Sequence, residues 1–438
     1  MSDLVVDYEK IKKKIQNVKI PQYKEIDISK VLSIQIWKII TMSKKQILIR
    51  ILGLISCRKL KVLETVNQHS DTTSLLFLES GNIRPDNMTI YGNAKQLLKP
   101  CNEIKVLLVN KPSLRLLVKK ISFTLSILKY FAGTGSLLEQ LYYGASMTLV
   151  SDVKEVVETL IEFQQTKTLM VFQDHEIIQN IIVQEIKIRG GITISLQHGQ
   201  RVYRKVDADY MGIENFTADY TLLWNKYSQI QYMKAGYKEE RLPIVGSTKY
   251  ALDSQMQKIN SYTFHKCEKK TIGVILDVPH QKKSHETNIK MIQFAIKFAA
   301  KYNYGVLIKP HPSHNLTDFG EYENVNNKIS ITPLDMSMKI FSQSISYAIS
   351  HSSGASVDLI IIGTPVFIYV NEVSFPLILP NIFFFTEYEE METNILNWSK
   401  NNNYNINEFE NIRKIYFEED SYRLHKEFFE NLRIKRIM

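Results

Sequence analysis

Short runs of β-branched and aliphatic residues recur along the chain, and most are separated by longer stretches with apolar residues three and four apart. The first kind is seen at SLLFLES (74–80), EIKVLLVN (103–110), ASMTLVS (145–151), TLMVFQD (168–174), ITISLQ (192–197) and YTLLWN (220–225). The second kind is seen at VKEVVETLIEFQQ (153–165) and EIIQNIIVQEIKI (176–188). Period two or unbroken apolar character reads as strand, and a return near 3.6 reads as an amphipathic helix. Strands that alternate with helices predict a largely parallel sheet covered on both faces.

The alternation then pauses and resumes. LPIVGSTKY (242–250) reads as one last strand and turn, and ALDSQMQKINSYTFHKCEKK (251–270) carries no core pattern, so it reads as a linker. A second block follows, with strands at 271–278, 305–310, 328–332 and 344–350 and helices at 286–302 and 353–363. TPVFIYV (364–370) closes this second sheet, and the remainder from 386 is polar, then helical and charged. The predicted class is α/β, with two Rossmann-like doubly wound domains and an interdomain cleft. The first covers 71–250 with a basic helical segment, 1–70, attached. The second covers 271–385, and the tail 386–438 packs back across the junction. A chain of 438 residues exceeds the size at which one core stops growing, which agrees with two domains.

Ligands of doubly wound sheets bind beyond the carboxyl ends of the strands, so the residues just past each strand are the ones to inspect. The first domain places Asp174 and His175 after one strand, and Gln197, His198 and Gly199 after the next. The second places His280, then Lys309-Pro310-His311-Pro312, then His351-Ser352-Ser353-Gly354. A lone histidine is more often a satisfied core residue than chemistry. Several at successive strand ends make a site the better explanation. Ser352, Ser353 and Gly354 open a helix whose unsatisfied N–H groups suit an anion, although a serine there also serves as a plain N-cap. The prolines around His311 stiffen the strand exit and so aim the imidazole. Lys309 adds charge nearby, and Asp358, one helical turn on, is placed to accept from ribose hydroxyls.

Charge changes the picture at one end. The net charge is +10, and residues 1–70 hold 14 Lys/Arg against 6 Asp/Glu. No acidic residue occurs from Ile28 to Leu63, where apolar clusters alternate with lysines and arginines. That pattern suits either an anionic membrane surface or an ordinary helical part of the first domain with a solvated basic face. No nucleic-acid motif accompanies it. Three distant cysteines, Cys57, Cys101 and Cys267, make no disulfide framework and point to a reducing, cytoplasmic compartment. Neither a secretion signal nor an apolar run of spanning length is read here. No zinc spacing or DxD element stands at a strand end, so the expected chemistry needs no metal and no cofactor.

SLQHGQ (195–200), ADYTLLWNKYSQIQYMKAGYKEERLPIVGSTKY (218–250), KPHPSH (309–314) and SHSSGASVDLIIIGTPVFIY (350–369), in this order, resemble bacterial surface-polysaccharide transferases of the GT-B fold. The HG, HP and SS succession is similar to that of CDP-glycerol glycerophosphotransferases, and HP and SS also mark bacterial sialyl- and Kdo-transferases. The likeness covers roughly 168–370. It implies that His198 is the general base on the acceptor side, with Gln197 and Gly199 beside it and Asp174 in reserve. It implies that His311 binds the donor phosphate and assists the leaving nucleotide as a catalytic residue, that Ser352, Ser353, Gly354 and Lys309 hold the same phosphate, and that Asp358 lies near the ribose. The aspartate and aromatic that precede the paired serines in the phosphotransferases are replaced here by Ser350 and His351, and the acidic sialyltransferase motif is absent. The implied activity is transfer of a sugar from a nucleotide-activated donor, CMP- or CDP-linked, to a capsule, lipo-oligosaccharide or teichoic-type glycan or its lipid-linked form. The alternatives are polyol-phosphate transfer, sugar-nucleotide epimerisation and a non-catalytic subunit of a capsule complex. The implied place is the cytoplasm or the inner face of the cell membrane.

Overall fold

The computed structural model describes residues 3–56, 58–65, 75–80, 88–97, 102–110, 113–160, 163, 166–172, 174–197, 199–200, 203, 208–251, 270–277, 282–319, 322, 328–351, 354–371, 377–400, 402–418 and 420–434. The chain divides into two units. The first comprises 1–223, 228–244 and 428–438, and the second comprises 224–227 and 245–427.

The first unit is built on a six-stranded sheet in the order β1-β3-β2-β4-β5-β6. Its strands are β1 (Arg58–Thr65), β2 (Leu75–Ser80), β3 (Asn102–Asn110), β4 (Thr168–Val171), β5 (Ile192–Leu196) and β6 (Tyr220–Leu222). All neighbours are parallel except β1, which runs antiparallel along β3. Without that edge strand the order is 2-1-3-4-5, one of the two common doubly wound arrangements. Helices α1 (Asp3–Gln16), α2 (Ile28–Val31), α3 (Ser33–Thr41) and α4 (Lys44–Ile55) precede the sheet. Then come α5 (Met88–Leu97), α6 (Leu114–Leu128), α7 (Leu137–Thr159), α8 (Ile177–Ile188) and α9 (Ala208–Glu214), and α10 (Lys226–Lys234) follows β6.

Two expectations are corrected here. ASMTLVS (145–151) is not a strand but the middle of α7. Residues 142–150 of that helix are buried all round, so no polar face betrays the helical period, and a fully buried helix reads like a buried strand. The start of α7 was nonetheless written in the sequence. Ser136 accepts from the Glu139 N–H while the Glu139 carboxylate accepts from the Ser136 N–H, a reciprocal cap. LPIVGSTKY (242–250) forms no strand, only an isolated bridge from Ile244 to Leu223.

Part of the basic N-terminal region is core. Ile28, Val31, Leu32, Ile36 and Ile39 of α2 and α3 pack with α1, α7 and α8 in the hydrophobic cluster of the first unit. Asp27 caps α2 by accepting from the N–H groups of Ser29 and Lys30. Residues 28–63 are thus not one surface: α2 and α3 turn their apolar sides inward, and β1 takes residues 58–65 into the sheet.

The second unit carries an all-parallel sheet in the order β12-β11-β10-β7-β8-β9. Its strands are β7 (Thr271–Ile275), β8 (Gly305–Lys309), β9 (Ile329–Ile331), β10 (Tyr347–Ser350), β11 (Val366–Tyr369) and β12 (Phe384–Phe385). Numbered from β7, this is the 3-2-1-4-5-6 order of a dinucleotide-binding sheet. β11 does not close it, since the two-residue β12 pairs beyond, too short to show a pattern. The helices are α11 (Lys282–Tyr302), α12 (Met338–Gln343), α13 (Gly354–Ile362), α14 (Tyr388–Lys400), α15 (Asn402–Tyr416) and α16 (Ser421–Ile434). Most of the linker predicted at 251–270 lies outside the described residues.

Candidate functional site

In the second sheet the strand order reverses between β7 and β10, and a crevice at the carboxyl ends of such strands is where this fold takes ligands. Two residues past β7 stands Asp277, and directly past β10 stands His351, both buried. The backbone at Asp277 is clamped by Asn288 of α11. Its N–H donates to Asn288 Oδ1 at 2.9 Å, and its carbonyl accepts from Asn288 Nδ2 at 3.0 Å. Asp277 Oδ2 lies 2.5 Å from His351 Nδ1. On the other side of the ring, Nε2 lies 2.7 Å from Asn371 Oδ1, just past β11. Asn371 Nδ2 in turn donates to Thr287 Oγ1 at 3.1 Å. Three strand exits and one helix thereby share a connected polar network that fixes the plane of the imidazole.

The exit of β8 is organised by histidines. The N–H of His311 donates to His314 Nδ1 at 3.0 Å, and the His314 N–H donates to the His311 carbonyl at 2.9 Å. The Ser313 N–H donates to His311 Nδ1 at 3.2 Å, which makes Nδ1 an acceptor and places the ring proton on Nε2. His314 itself is buried against Phe319, with ring centroids 5.1 Å apart. His311 is the half-buried member of the pair.

Lys309 ends β8 with its Nζ donating to the Met336 carbonyl at 2.6 Å. Burial pushes its pKa below that of an ordinary lysine, and the charge of Lys249 adds to the depression. Lys249 is held 2.5 Å from Asp358 Oδ2, while the hydroxyl of Tyr250 donates to Asp358 Oδ1 at 2.8 Å. Both oxygens of Asp358 therefore hold the Lys249-Tyr250 segment. These contacts aim a lysine. Gly354 opens α13 at the surface, and a Cβ built there would meet nothing within 4 Å. Ser352, Ser353 and His280 lie outside the described residues.

In the first unit the exits of β4 and β5 are neighbours, with Val171 paired to Ser195. Asp174 is buried, and its Oδ2 accepts from the Thr217 N–H at 2.7 Å, the Thr217 hydroxyl at 3.1 Å and the Ala218 N–H at 2.9 Å. Those contacts brace the chain between α9 and β6. Gln197 Nε2 donates to the Gly199 carbonyl and to Ser228 Oγ, both at 2.9 Å, and Gln200 Nε2 donates to the same hydroxyl at 3.0 Å. A loop tied at both ends follows β5, and a Cβ at Gly199 would also meet nothing within 4 Å. His198 lies outside the described residues.

The strand-end rule led to Asp174, Gln197, Gly199, Lys309, His311, His351 and Gly354, and it missed Asp277, Asn371 and Lys249. The signal for Asp277 and Asn371 was present, since each follows an apolar strand, but neither reads as more than a strand-terminal polar residue. Lys249 sits in GSTKY, far in sequence from Asp358, and only the fold brings the two together. Among the described residues no group of three His, Cys, Asp or Glu side chains is arranged to hold a metal ion.

No protein-family model matches the chain, and no curated protein matches it. Solved structures do. The UDP-GlcNAc 2-epimerase of Neisseria meningitidis bound to UDP-GlcNAc is similar at TM-score 0.50 and 13% identity, over 82% of this chain and 99% of that one. The UDP complex of Staphylococcus aureus MnaA is similar at TM-score 0.51 and 13% identity, over 82% and 98%. A putative UDP-N-acetylglucosamine 2-epimerase from Listeria monocytogenes is similar at TM-score 0.50 and 10% identity, over 80% and 94%. At such identities the likeness establishes the fold: two Rossmann-like α/β domains of the GT-B type.

Proposed function

We propose that this protein is a nucleotide-sugar enzyme that transfers a glycosyl group from a CMP- or CDP-linked donor to a bacterial surface glycan or its lipid-linked precursor. The observation that carries the reading is the second unit's strand-order reversal, where His351, Asp277 and Asn371 form a fixed network beside the open start of α13. In this proposal the donor phosphate lies on the first N–H groups of α13, with the hydroxyls of Ser352 and Ser353 around it and Gly354 permitting close approach. The Nε2–H of His311 donates to the departing phosphate oxygen, and Lys249, held by Asp358, supplies charge as the nucleotide leaves. His198 takes the proton from the acceptor hydroxyl as that oxygen attacks the anomeric carbon, and Gly199 leaves room for the acceptor. The reaction is written without metal or cofactor.

The second reading is sugar-nucleotide epimerisation, favoured by the near-complete coverage of the epimerase chains. One experiment separates the two. The protein is incubated with CMP-sialic acid, CMP-Kdo, CDP-glycerol and UDP-GlcNAc in turn, with and without a glycan acceptor, while nucleotide release and NMR spectra are followed. Acceptor-dependent release of CMP supports sugar transfer, and release from CDP-glycerol alone supports polyol-phosphate transfer. Conversion of UDP-GlcNAc without acceptor supports the second reading and sinks the first. Turnover of UDP-sugars alone removes the cytidine assignment.

A further inference from the structure

Half of the exposed large apolar side chains among the described residues gather in one region of the first unit. On α4 they are Leu48, Ile49 and Leu52, and on α6 they are Leu114, Val118, Ile121 and Leu125. Leu137 at the start of α7 completes the set, and their exposures run from 39% to 77%. The α6 residues recur at intervals of four, three and four, so they form one stripe along the helix. The opposite side of α6 is fixed by the buried residues Lys120, Thr124 and Ile127, and that of α4 by Ile47 and Ile51. Both helices pack on α7 and touch each other.

The charges carried by the two helices have one sign. Helices α4 and α6 contain Lys44, Lys45, Arg50, Arg115, Lys119 and Lys120 and no aspartate or glutamate. Lys120 turns inward to Asp152 at 2.9 Å, and the other five are exposed. Among the described residues, the one carboxylate paired with these five is Glu155 of α7, 3.8 Å from Lys119, in a solvated pair of little energetic weight.

We propose that the outward faces of α4 and α6 dock this protein on an anionic lipid bilayer, with the aliphatic stripes entering the headgroup boundary and the lysines and arginines on lipid phosphates. Charge complementarity selects this occupant: two helices that carry lysines and arginines but no carboxylate beside an apolar face match an anionic membrane surface. The exposed apolar set is wholly aliphatic, whereas the hot spots of protein interfaces favour tryptophan and tyrosine. Among the described residues no helix is long and apolar enough to cross a membrane, so the contact is a docking and not an insertion. The surface lies on α4 and α6, not along residues 28–63 as a whole.

The test is co-sedimentation of the full chain with phosphatidylcholine vesicles, with and without about 30% phosphatidylglycerol. It needs neither donor nor acceptor, so this inference and the proposed reaction fail separately. Pelleting is expected only with the anionic vesicles, and it should fall as salt rises. The double variants Leu48→Glu/Leu52→Glu and Val118→Glu/Leu125→Glu should each weaken partition by at least about tenfold. Melting temperatures close to the parent protein establish that the exposed substitutions leave the fold intact. Equal pelleting of variants and parent overturns the proposal, as does equal binding to neutral and anionic vesicles. A lipid-free dimer in light scattering, dissociated by the same variants while vesicles go unbound, would assign the face to a second copy of this chain instead.

Discussion

His425 of α16 is buried in the second unit with Nδ1 2.7 Å from the Ser421 carbonyl, so Nδ1 carries the proton of the neutral ring. Nε2 accepts no hydrogen bond, and a proton added there would be a charge taken out of water, which backbone hydrogen bonds from the ring to Ser421 and Val245 only partly offset. Burial accordingly lowers the pKa to about 4. The unfolded chain, with an ordinary histidine near pH 6.5, binds more protons than the folded one between these limits. Stability is therefore full above about pH 6.5, declines as pH falls through that window, and by pH 4 has lost up to about 3 kcal/mol on this account. Denaturant melts of the parent and His425→Gln across pH 7 to 4 should show a shallower decline in the variant, and parallel curves would exclude His425 as the source. Nothing in the sequence marks this residue. A histidine in a charged helix reads as surface until the fold buries it.

At the scale of single elements, the start of α13 and the loop after β5 make the same prediction. Gly354 and Gly199 each leave open space where a side chain would stand, and neither has a backbone conformation that demands glycine. Gly354→Val and Gly199→Val should change stability by less than about 1 kcal/mol. Gly354→Val should weaken donor-nucleotide binding about tenfold in calorimetry, while Gly199→Val should leave donor binding intact and reduce acceptor-dependent turnover. A loss of donor binding at both positions would contradict the division of roles. Gly246 is the contrast: its φ is +81°, and a Cβ would lie 2.5 Å from Ser421 Cβ, so alanine there disturbs folding instead of ligand binding. Most strands were legible because a buried parallel strand is a short apolar run with a polar stop, as at β4, β5, β7, β8 and β10. The central part of α7 was not, because burial on every side erases the period that distinguishes a helix. The stop residues disclosed half the candidate site, while the His351–Asp277 and Lys249–Asp358 pairings depend on contacts distant in sequence.

For the molecule as a whole, the two sheet orders, 2-1-3-4-5 with an antiparallel edge and 3-2-1-4-5-6, follow from which strands pair, and no local pattern states that. Helix α16 contributes to both units. Its Ser421 hydroxyl donates to the Ser247 carbonyl at 3.4 Å within the second, and Phe428 stacks edge-on against Tyr220 at 5.6 Å within the first. Removing residues 421–438 strips both of buried side chains, among them His425 and Leu432. The truncated chain should melt at lower temperature by both near-ultraviolet circular dichroism and hydrogen exchange, with protection lost at β6 as well as around 245–250. Loss confined to one unit would show that the helix supports that unit alone.

The division of α16 also has a consequence for biosynthesis. Domains usually fold in the order in which they leave the ribosome. Here Phe428 emerges some two hundred residues after its partner Tyr220, so the first unit waits for almost the whole second unit to be translated before its own packing is complete. During that interval the nascent first unit keeps β6, an edge strand of its sheet, without its final cover. Pulse proteolysis of stalled nascent chains should find that edge protected only once the segment around residue 428 has cleared the exit tunnel.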